Sequence, residues 1–184
     1  MTNFLWIMLA VIGFTACNQT DNKQAKNDEE AETVPTENVS EQQSAYTAPD
    51  VSFTDEHGET VSLGSLKGKV VFINFWATWC PPCIQELPSI QTLKQSFGNT
   101  DDIVFLMVDV DNKIEKSSTF MKKNKFDLPV YVPASNIPSE FLENAIPTTV
   151  VLDRKGEMVV RAEGARDYAD PGIVKAIKDL IESE

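Results

Sequence analysis

The chain has 184 residues, of which 42% are hydrophobic and 24% charged, enough for one domain with its own core plus a tail. The formal net charge of -12 at pH 7 argues against nucleic acid or an anionic lipid surface as an electrostatic partner. Three cysteines are too few for a fold held together by disulfides, so each cysteine needs its own explanation.

Residues 1–17 predict a signal peptide. Phe4–Ala16 is a continuous apolar run that is shorter than the roughly 20 apolar residues needed to span a bilayer as a helix and is typical of a secretion signal. Residues 13–17 resemble the lipobox of bacterial lipoproteins, in which small residues precede an acylated cysteine. We therefore predict lipidation of Cys17 and a lipid anchor in the membrane. The alternative is a plain signal peptide with an incidental cysteine.

Residues 18–48 change character at once. They are rich in Asn, Gln, Glu, Thr and Ser and show no period of a strand or a helix. Such a segment buries too little apolar surface to offset its ordering entropy. We predict a flexible acidic linker that holds a domain away from a membrane, and the alternative of a partner-binding tail has no positive signal.

Periodic patterns begin at Pro49 and predict one domain over residues 49–184. Strands and helices alternate along it, which predicts an α/β fold with a central sheet flanked by helices. The predicted elements in chain order are a hairpin of residues 51–53 and 60–63, a buried strand at 69–75, a helix from 83 to 97, a strand at 103–108, a helix at 114–125, strands at 128–132, 148–152 and 158–161, and a final helix around 173–181.

Two cysteines lie where the first buried strand passes into the first long helix. Cys80 and Cys83 are three residues apart, so they can close a small disulfide within the first helical turn. Unpaired N–H groups and the helix dipole favour a thiolate at that position, and the thiolate is the attacking species in disulfide exchange. We predict Cys80 as the exposed nucleophile and Cys83 as the resolving thiol. Cys83 lies one turn further along the helix, on an apolar stripe that it forms with Leu87, Ile90, Leu93 and Phe97.

Several motifs resemble the TlpA/ResA group of thioredoxin-like thiol–disulfide oxidoreductases, in the AhpC/TSA–redoxin-like superfamily. The motifs are Val61-Ser62-Leu63, residues 67–83 with Trp79-Cys80-Pro81-Pro82-Cys83, Glu86-Leu87-Pro88, Ile146-Pro147-Thr148-Thr149-Val150 and Asp153-Arg154-Lys155-Gly156. The likeness extends from about Pro49 to the C-terminus. It implies a thioredoxin fold with a central mixed β-sheet, an N-terminal β-hairpin extension and thiol–disulfide exchange at the cysteine pair.

Glu86 is the predicted acid–base residue. It follows Cys83 by three positions and shares the helical lattice of the apolar stripe, which places it at the core edge near the inner thiol. A partly buried carboxyl has a raised pKa and can accept the Cys83 proton. The resemblance implies a functional acid here, because Asn74 occupies the site of the buried aspartate of ordinary thioredoxins. Asp109 and Asp111, in contrast, are expected in a solvated loop.

A substrate-binding surface is expected around the cysteine pair. An X–Pro bond is cis in only about 5–6% of cases, but the resemblance implies a cis-proline at Pro147 that faces the disulfide. The backbone of Ile146 would then pair with an extended substrate segment. We predict that Trp79, Pro81, Pro82, Ile146 and Pro147 bind substrate.

Metal and cofactor alternatives fit the cysteine pair poorly. A zinc site needs about four ligands, and only His57 and Cys17 remain. Haem attachment needs a histidine after the second cysteine, where Ile84 stands. We predict no metal and no cofactor beyond the redox-active disulfide. Two alternatives stay open: a non-catalytic surface lipoprotein with a structural disulfide, and a copper-delivery module.

The residues between the cysteines favour a reductant. Pro81 and Pro82 carry no N–H and no histidine lies between the cysteines, so the reduced form lacks the strong stabilisation found in oxidants. The resemblance implies protein disulfide or dithiol substrates, such as apocytochrome c or other envelope proteins. It also implies a thiol-reductant donor in the membrane. We expect an extracytoplasmic, membrane-anchored protein of the cell envelope and no nucleic-acid partner.

Overall fold

The computed structural model describes residues 51–183. The predicted signal peptide, the lipidation site Cys17 and the linker lie outside these residues, as do residues 49, 50 and 184 of the predicted domain. The limits assigned to the three regions of the chain therefore stay predictions.

Within residues 51–183, every predicted strand and helix is present. The 3₁₀ helix Leu63–Leu66 was not predicted from the sequence. It begins after Ser62, whose side chain accepts a hydrogen bond from the backbone of Ser65. The elements are β1 (Ser52–Asp55), β2 (Thr60–Ser62), β3 (Val70–Trp76), α1 (Pro81–Phe97), β4 (Ile103–Asp109), α2 (Ile114–Lys123), β5 (Val130–Pro133), β6 (Thr148–Leu152), β7 (Met158–Glu163) and α3 (Pro171–Glu182).

The strands form one mixed sheet in the order β2-β1-β5-β4-β3-β6-β7. β3 runs parallel to β4 and antiparallel to β6. The predicted N-terminal hairpin is present, and β1 joins it to the sheet by pairing antiparallel with β5. Trp76 at the end of β3 lies opposite Asp109 at the end of β4, so the loops that follow these strands emerge side by side.

Every residue of β3 is buried, as the continuous apolar run predicts for a strand covered on both faces. One core cluster contains Phe72 together with residues of all three helices. A second cluster contains Ile73 and is closed by the 3₁₀ helix and Phe141. Alternate residues of β3 thus pack into the two cores on opposite faces of the sheet, so the strand that leads to the cysteine pair is packed on both faces.

α1 begins directly after Cys80, which is its N-cap. Pro81 and Pro82 occupy the first two positions, where a missing N–H costs no helical hydrogen bond. Pro88 lies inside the helix, and the Thr92 hydroxyl donates to its carbonyl at 3.0 Å. The helix buries Cys83, Leu87, Ile90 and Leu93, the stripe expected from the spacing.

Candidate active site

Cys80 and Cys83 form a disulfide at the start of α1. Cys80 Sγ also accepts a hydrogen bond from the Cys83 backbone N–H at 3.3 Å, so the helix end points a donor at this sulfur. The prediction that Cys80 is exposed is wrong for the oxidised protein, since Cys80 is 3% and Cys83 0% exposed. Cys80 Sγ is covered because it lies between the first turn of α1 and the segment around Ile146 that precedes β6.

Ile146 and Pro147 face the disulfide, as the resemblance implies. The Ile146–Pro147 peptide bond is cis. The Ile146 carbonyl oxygen lies 3.8 Å from Cys80 Sγ. Pro147 is buried, whereas Ile146 is only partly buried, so the backbone at Ile146 borders the surface next to the sulfur.

Glu86 is buried more deeply than predicted, with 2% of the residue exposed. Its Oε1 accepts from the Asn74 amide at 2.7 Å, and its Oε2 accepts from the Arg166 backbone N–H at 3.2 Å. Burial raises the pKa of Glu86 from its ordinary 4.5 to about 7, against the opposing effect of these two hydrogen bonds and of the Arg166 charge. A carboxyl with this pKa exchanges protons readily near neutral pH.

The residues that hold Glu86 were not predicted from the sequence. Asn74 Nδ2 also donates to Thr149 Oγ1 at 2.9 Å, and the Tyr168 hydroxyl donates to the same oxygen at 2.6 Å. In the sequence, Asn74 stands out only as a group that does not titrate. Tyr168 lies in a polar connection between β7 and α3, and nothing in that local sequence marks it as part of the site.

A short segment after β7 is attached to α1 beside Glu86. The Ser89 hydroxyl donates to the Glu86 carbonyl at 2.8 Å and accepts from the Tyr168 backbone N–H at 3.0 Å. A cavity of about 290 Å³ lies next to this attachment and is lined in part by Glu86, Arg166 and Asp167. It leaves solvent close to an otherwise buried carboxyl.

Trp79 is 59% exposed and forms a rim next to Cys80 with the exposed Pro81 and Pro82. Its indole N–H donates to Asp111 Oδ2 at 2.8 Å. The parallel register of β3 and β4 brings the two loops together. This hydrogen bond orients the large apolar ring, most of which stays exposed.

Asp109 is not in a solvated loop as expected, since it is 1% exposed. Its carboxylate accepts from the Ser117 hydroxyl at 2.7 Å and from the backbone N–H groups of Asp111 and Lys113 at 3.1 Å and 3.0 Å. It organises the turn that carries Asp111. Asp109 is the last residue of β4, and the N-cap of α2 is Lys113, which has no side-chain cap, so no capping pattern in the sequence predicts this role.

Among residues 51–183, no cluster of three or more His, Cys, Asp or Glu side chains is arranged to hold a metal ion. His57 lies in the β1–β2 turn, while the cysteine pair follows β3, which is three strands away in the sheet. The same part of the chain contains no helix with the length and apolar character that crossing a bilayer requires.

The model of the Redoxin family matches residues 43–177 of this chain. The chain belongs to the Redoxin family. This Redoxin-family protein is 35% identical over 115 residues to the thioredoxin-like protein YneN of Bacillus subtilis, an alignment covering 62% of the chain and 68% of YneN. It is 27% identical over 159 residues to the thiol-disulfide oxidoreductase ResA of Bacillus subtilis, covering 86% of the chain and 80% of ResA.

Solved structures agree with this assignment. StoA from Bacillus subtilis matches with a TM-score of 0.55 and 25% identity, over 72% of this chain and 98% of StoA. The exposed lipoprotein thioredoxin of Streptococcus pneumoniae matches with a TM-score of 0.57 and 26% identity, over 71% of this chain and 99% of that one. The predicted thioredoxin-like fold and the TlpA/ResA group are confirmed.

The Redoxin-family protein is accordingly a thioredoxin-like thiol–disulfide oxidoreductase. Its redox group is a disulfide within the chain, and this chemistry needs no separate cofactor. The structure brings together five of the predicted site residues, which are Cys80, Cys83, Glu86, Ile146 and Pro147. Trp79, Pro81 and Pro82 lie on the surface beside them.

Proposed function

We propose that this protein reduces disulfides of extracytoplasmic proteins through Cys80 and Cys83. The Cys80 thiolate attacks a substrate disulfide, forms a mixed disulfide and releases one substrate thiolate, which takes up a proton. The Cys83 thiolate then attacks Cys80 Sγ, which closes the enzyme disulfide and releases the second substrate thiolate. A thiol donor in the membrane returns two electrons and two protons to the pair. The observation that carries this proposal is the disulfide at the start of α1 facing Ile146.

Glu86 has the role of base for the second step. Cys83 must lose its proton before it attacks, and it is fully buried, so bulk water is not a direct acceptor. Glu86 follows one helical turn later, and its pKa of about 7 lets the carboxylate accept that proton at neutral pH. The cavity beside Glu86 then offers the proton a route to solvent.

A Cys83→Ser variant tests the proposal. Without the resolving thiol, mixed disulfides on Cys80 should accumulate when the variant is expressed with its own signal sequence. Partners should appear in non-reducing gels of envelope fractions and disappear on adding dithiothreitol. Their identity would also test apocytochrome c as a substrate.

Two further variants control the trapping experiment. Cys80→Ser/Cys83→Ser should trap nothing, because the attacking sulfur is gone. Trp79→Ala/Cys83→Ser should trap several-fold less protein if the exposed indole belongs to the proposed docking surface with Pro81, Pro82, Ile146 and Pro147. If Cys83→Ser and Cys80→Ser/Cys83→Ser trap equal amounts of protein, the result contradicts disulfide exchange at Cys80 and favours a structural disulfide.

We also propose that the protein is a lipoprotein of the cell envelope, with Cys17 acylated and residues 18–48 as a linker. The similarity to an exposed lipoprotein thioredoxin supports this location. Cys17→Ala should abolish incorporation of a labelled fatty acid and move the protein from the membrane to the soluble fraction. Cys80→Ser, which keeps Cys17, should retain both label and location. A membrane-bound, labelled Cys17→Ala protein would contradict anchoring at this residue.

A further inference from the structure

Three hydrogen bonds connect Glu86 to Tyr168 through the buried interior. Asn74 donates one amide hydrogen to Glu86 Oε1 and the other to Thr149 Oγ1, at 2.7 Å and 2.9 Å. The Tyr168 hydroxyl donates to Thr149 Oγ1 at 2.6 Å. All four side chains are buried, so their partners are determined by this network rather than by bulk water.

The orientation of the Asn74 amide decides which form of Glu86 is favoured. With its N–H groups toward Glu86, the amide stabilises the carboxylate. If the amide were rotated by 180° about its Cβ–Cγ bond, Asn74 would present Oδ1 to Glu86. This oxygen accepts a hydrogen bond only from the protonated form of Glu86. Asn74 Oδ1 has no hydrogen-bond partner within residues 51–183, so it contributes no bond that holds the observed orientation. Besides its bond to Glu86, Asn74 Nδ2 donates to Thr149 Oγ1, and this second bond supports the observed orientation.

Tyr168 in turn holds Thr149. Its hydroxyl donates to Thr149 Oγ1, and its ring packs edge-on against Phe72 with centroids 5.2 Å apart. Burial raises the pKa of Tyr168 to about 12, so the phenol keeps its hydrogen at neutral pH. It is therefore a constant donor to Thr149.

We propose that Tyr168 and Thr149 are positioning residues that hold the Asn74 amide with its N–H toward Glu86, keeping this carboxylate ready to accept the Cys83 proton. The catalytic consequence rests on the proposed function of Glu86. The hydrogen-bond assignment itself does not depend on catalysis, so the two can be tested separately.

Other groups around Glu86 are charged or titrate. Arg166, from the segment after β7, supplies a backbone N–H and a positive charge that both favour the carboxylate. Asp167 lines the adjacent cavity, and Cys83 precedes Glu86 by one helical turn. β3 and β6 present the neutral amide and hydroxyl side chains of the network. A test must therefore keep Arg166 and Asp167 in place and hold Cys83 in its disulfide.

The test is a carbon-13 NMR titration of glutamate side-chain carboxyls in the oxidised protein, in which Cys83 does not titrate. Glu86→Gln identifies the Glu86 signal. Tyr168→Phe should raise the Glu86 midpoint by about 0.5 to 1 pH unit, because the carboxylate loses part of its stabilising hydrogen bond. Thr149→Val should raise it at least as much, and Thr149→Ser, which keeps the hydroxyl, should restore it.

Tyr131→Phe is the matched control, since Tyr131 lies on β5 and its substitution should leave the Glu86 midpoint unchanged. If Thr149→Val and Tyr168→Phe both leave the midpoint in place, the positioning role is overturned, whatever the activity of the enzyme. If Tyr168→Phe folds poorly, the comparison of Thr149→Val with Thr149→Ser tests the positioning role on its own. A midpoint that moves while Glu86→Gln leaves the rate of disulfide closure unaffected would support the positioning role and reject Glu86 as the base.

Discussion

Replacing Glu86 with glutamine is expected to slow closure of the Cys80–Cys83 disulfide by at least about 10²-fold at pH 7, the usual contribution of a positioned base. Glutamine keeps the size of the side chain but accepts no proton. In the wild-type enzyme, the rate of closure should rise from pH 6 to pH 8 with a midpoint near the Glu86 pKa of about 7. This midpoint should be absent from the profile of the variant.

The closure step can be isolated by stopped flow. Reduced enzyme reacts with dithiobis-nitrobenzoate to form a mixed disulfide on Cys80, and release of the second nitrobenzoate thiol reports attack by Cys83. The first phase belongs to Cys80 and should change little in Glu86→Gln. A second phase as fast as that of the wild type, with the same pH dependence, would show that another base removes the Cys83 proton.

The same substitution should stabilise the protein at high pH. Because the pKa of Glu86 is higher in the folded state, the native protein holds a proton that the unfolded chain has released between pH 4.5 and 7. Glu86 therefore lowers stability progressively across this range as pH rises, and the full cost is present above it. Glu86→Gln should raise the free energy of unfolding by about 1 to 3 kcal/mol at pH 8.

Urea unfolding of the oxidised protein at pH 4.5 and pH 8 measures this effect. The gain from Glu86→Gln should nearly vanish at the lower pH, because the folded protein then holds the Glu86 carboxyl in its neutral form. Glu157→Gln, on the exposed turn between β6 and β7, should show no comparable gain. An equal effect of Glu86→Gln at both pH values would mean that packing, not burial of a charge, explains it.

Replacing Phe72 with alanine is expected to destabilise the fold by about 3 to 5 kcal/mol, the usual cost of emptying the space of a buried phenylalanine. Phe72 is fully buried at the centre of β3 and contacts the rings of Phe105 and Tyr168, each with centroids 5.2 Å apart. Domains of this size are stable by only about 5–15 kcal/mol. The loss should therefore lower the urea midpoint strongly.

Phe72→Leu separates the effect of this side chain on stability from its effect on the titration of Glu86. It should cost less than Phe72→Ala but still remove the edge-on contact with Tyr168, and so raise the Glu86 midpoint in the direction expected of Tyr168→Phe. Val159→Ala, at an exposed position on β7, should change stability by less than about 0.5 kcal/mol. A Phe72→Ala loss as small as that of Val159→Ala would mean that the core around β3 closes over the missing ring.

The strands and helices could be predicted largely because the sequence patterns that specify them extend over only a few neighbouring residues. The continuous apolar run of β3 requires a strand covered on both faces, and the spacing of Cys83, Leu87 and Ile90 requires a helix with one buried face. Two cysteines at the junction of these elements then indicate redox chemistry. The exposure of Cys80 was predicted wrongly because it depends on the Ile146 segment, which is 66 positions away in the chain.

The site around Glu86 was predictable only in part. Helical spacing placed the glutamate beside the inner thiol, but not its depth or its partners. Asn74 and Thr149 are 75 positions apart and meet only because β3 pairs with β6. Tyr168 approaches from a connection whose local sequence is polar and has no period, so no pattern marks it.

The sequence by itself determined which elements form, where the redox pair lies and which acid is near it, because periodicity and short spacings act within a few residues. Only the tertiary structure decided that Asp109 is buried, that Asp111 orients Trp79, and that the proton affinity of Glu86 depends on neutral side chains from other strands. These properties arise from strand order and register. They join segments far apart in the chain, and burial then strengthens the few polar contacts that such pairing creates.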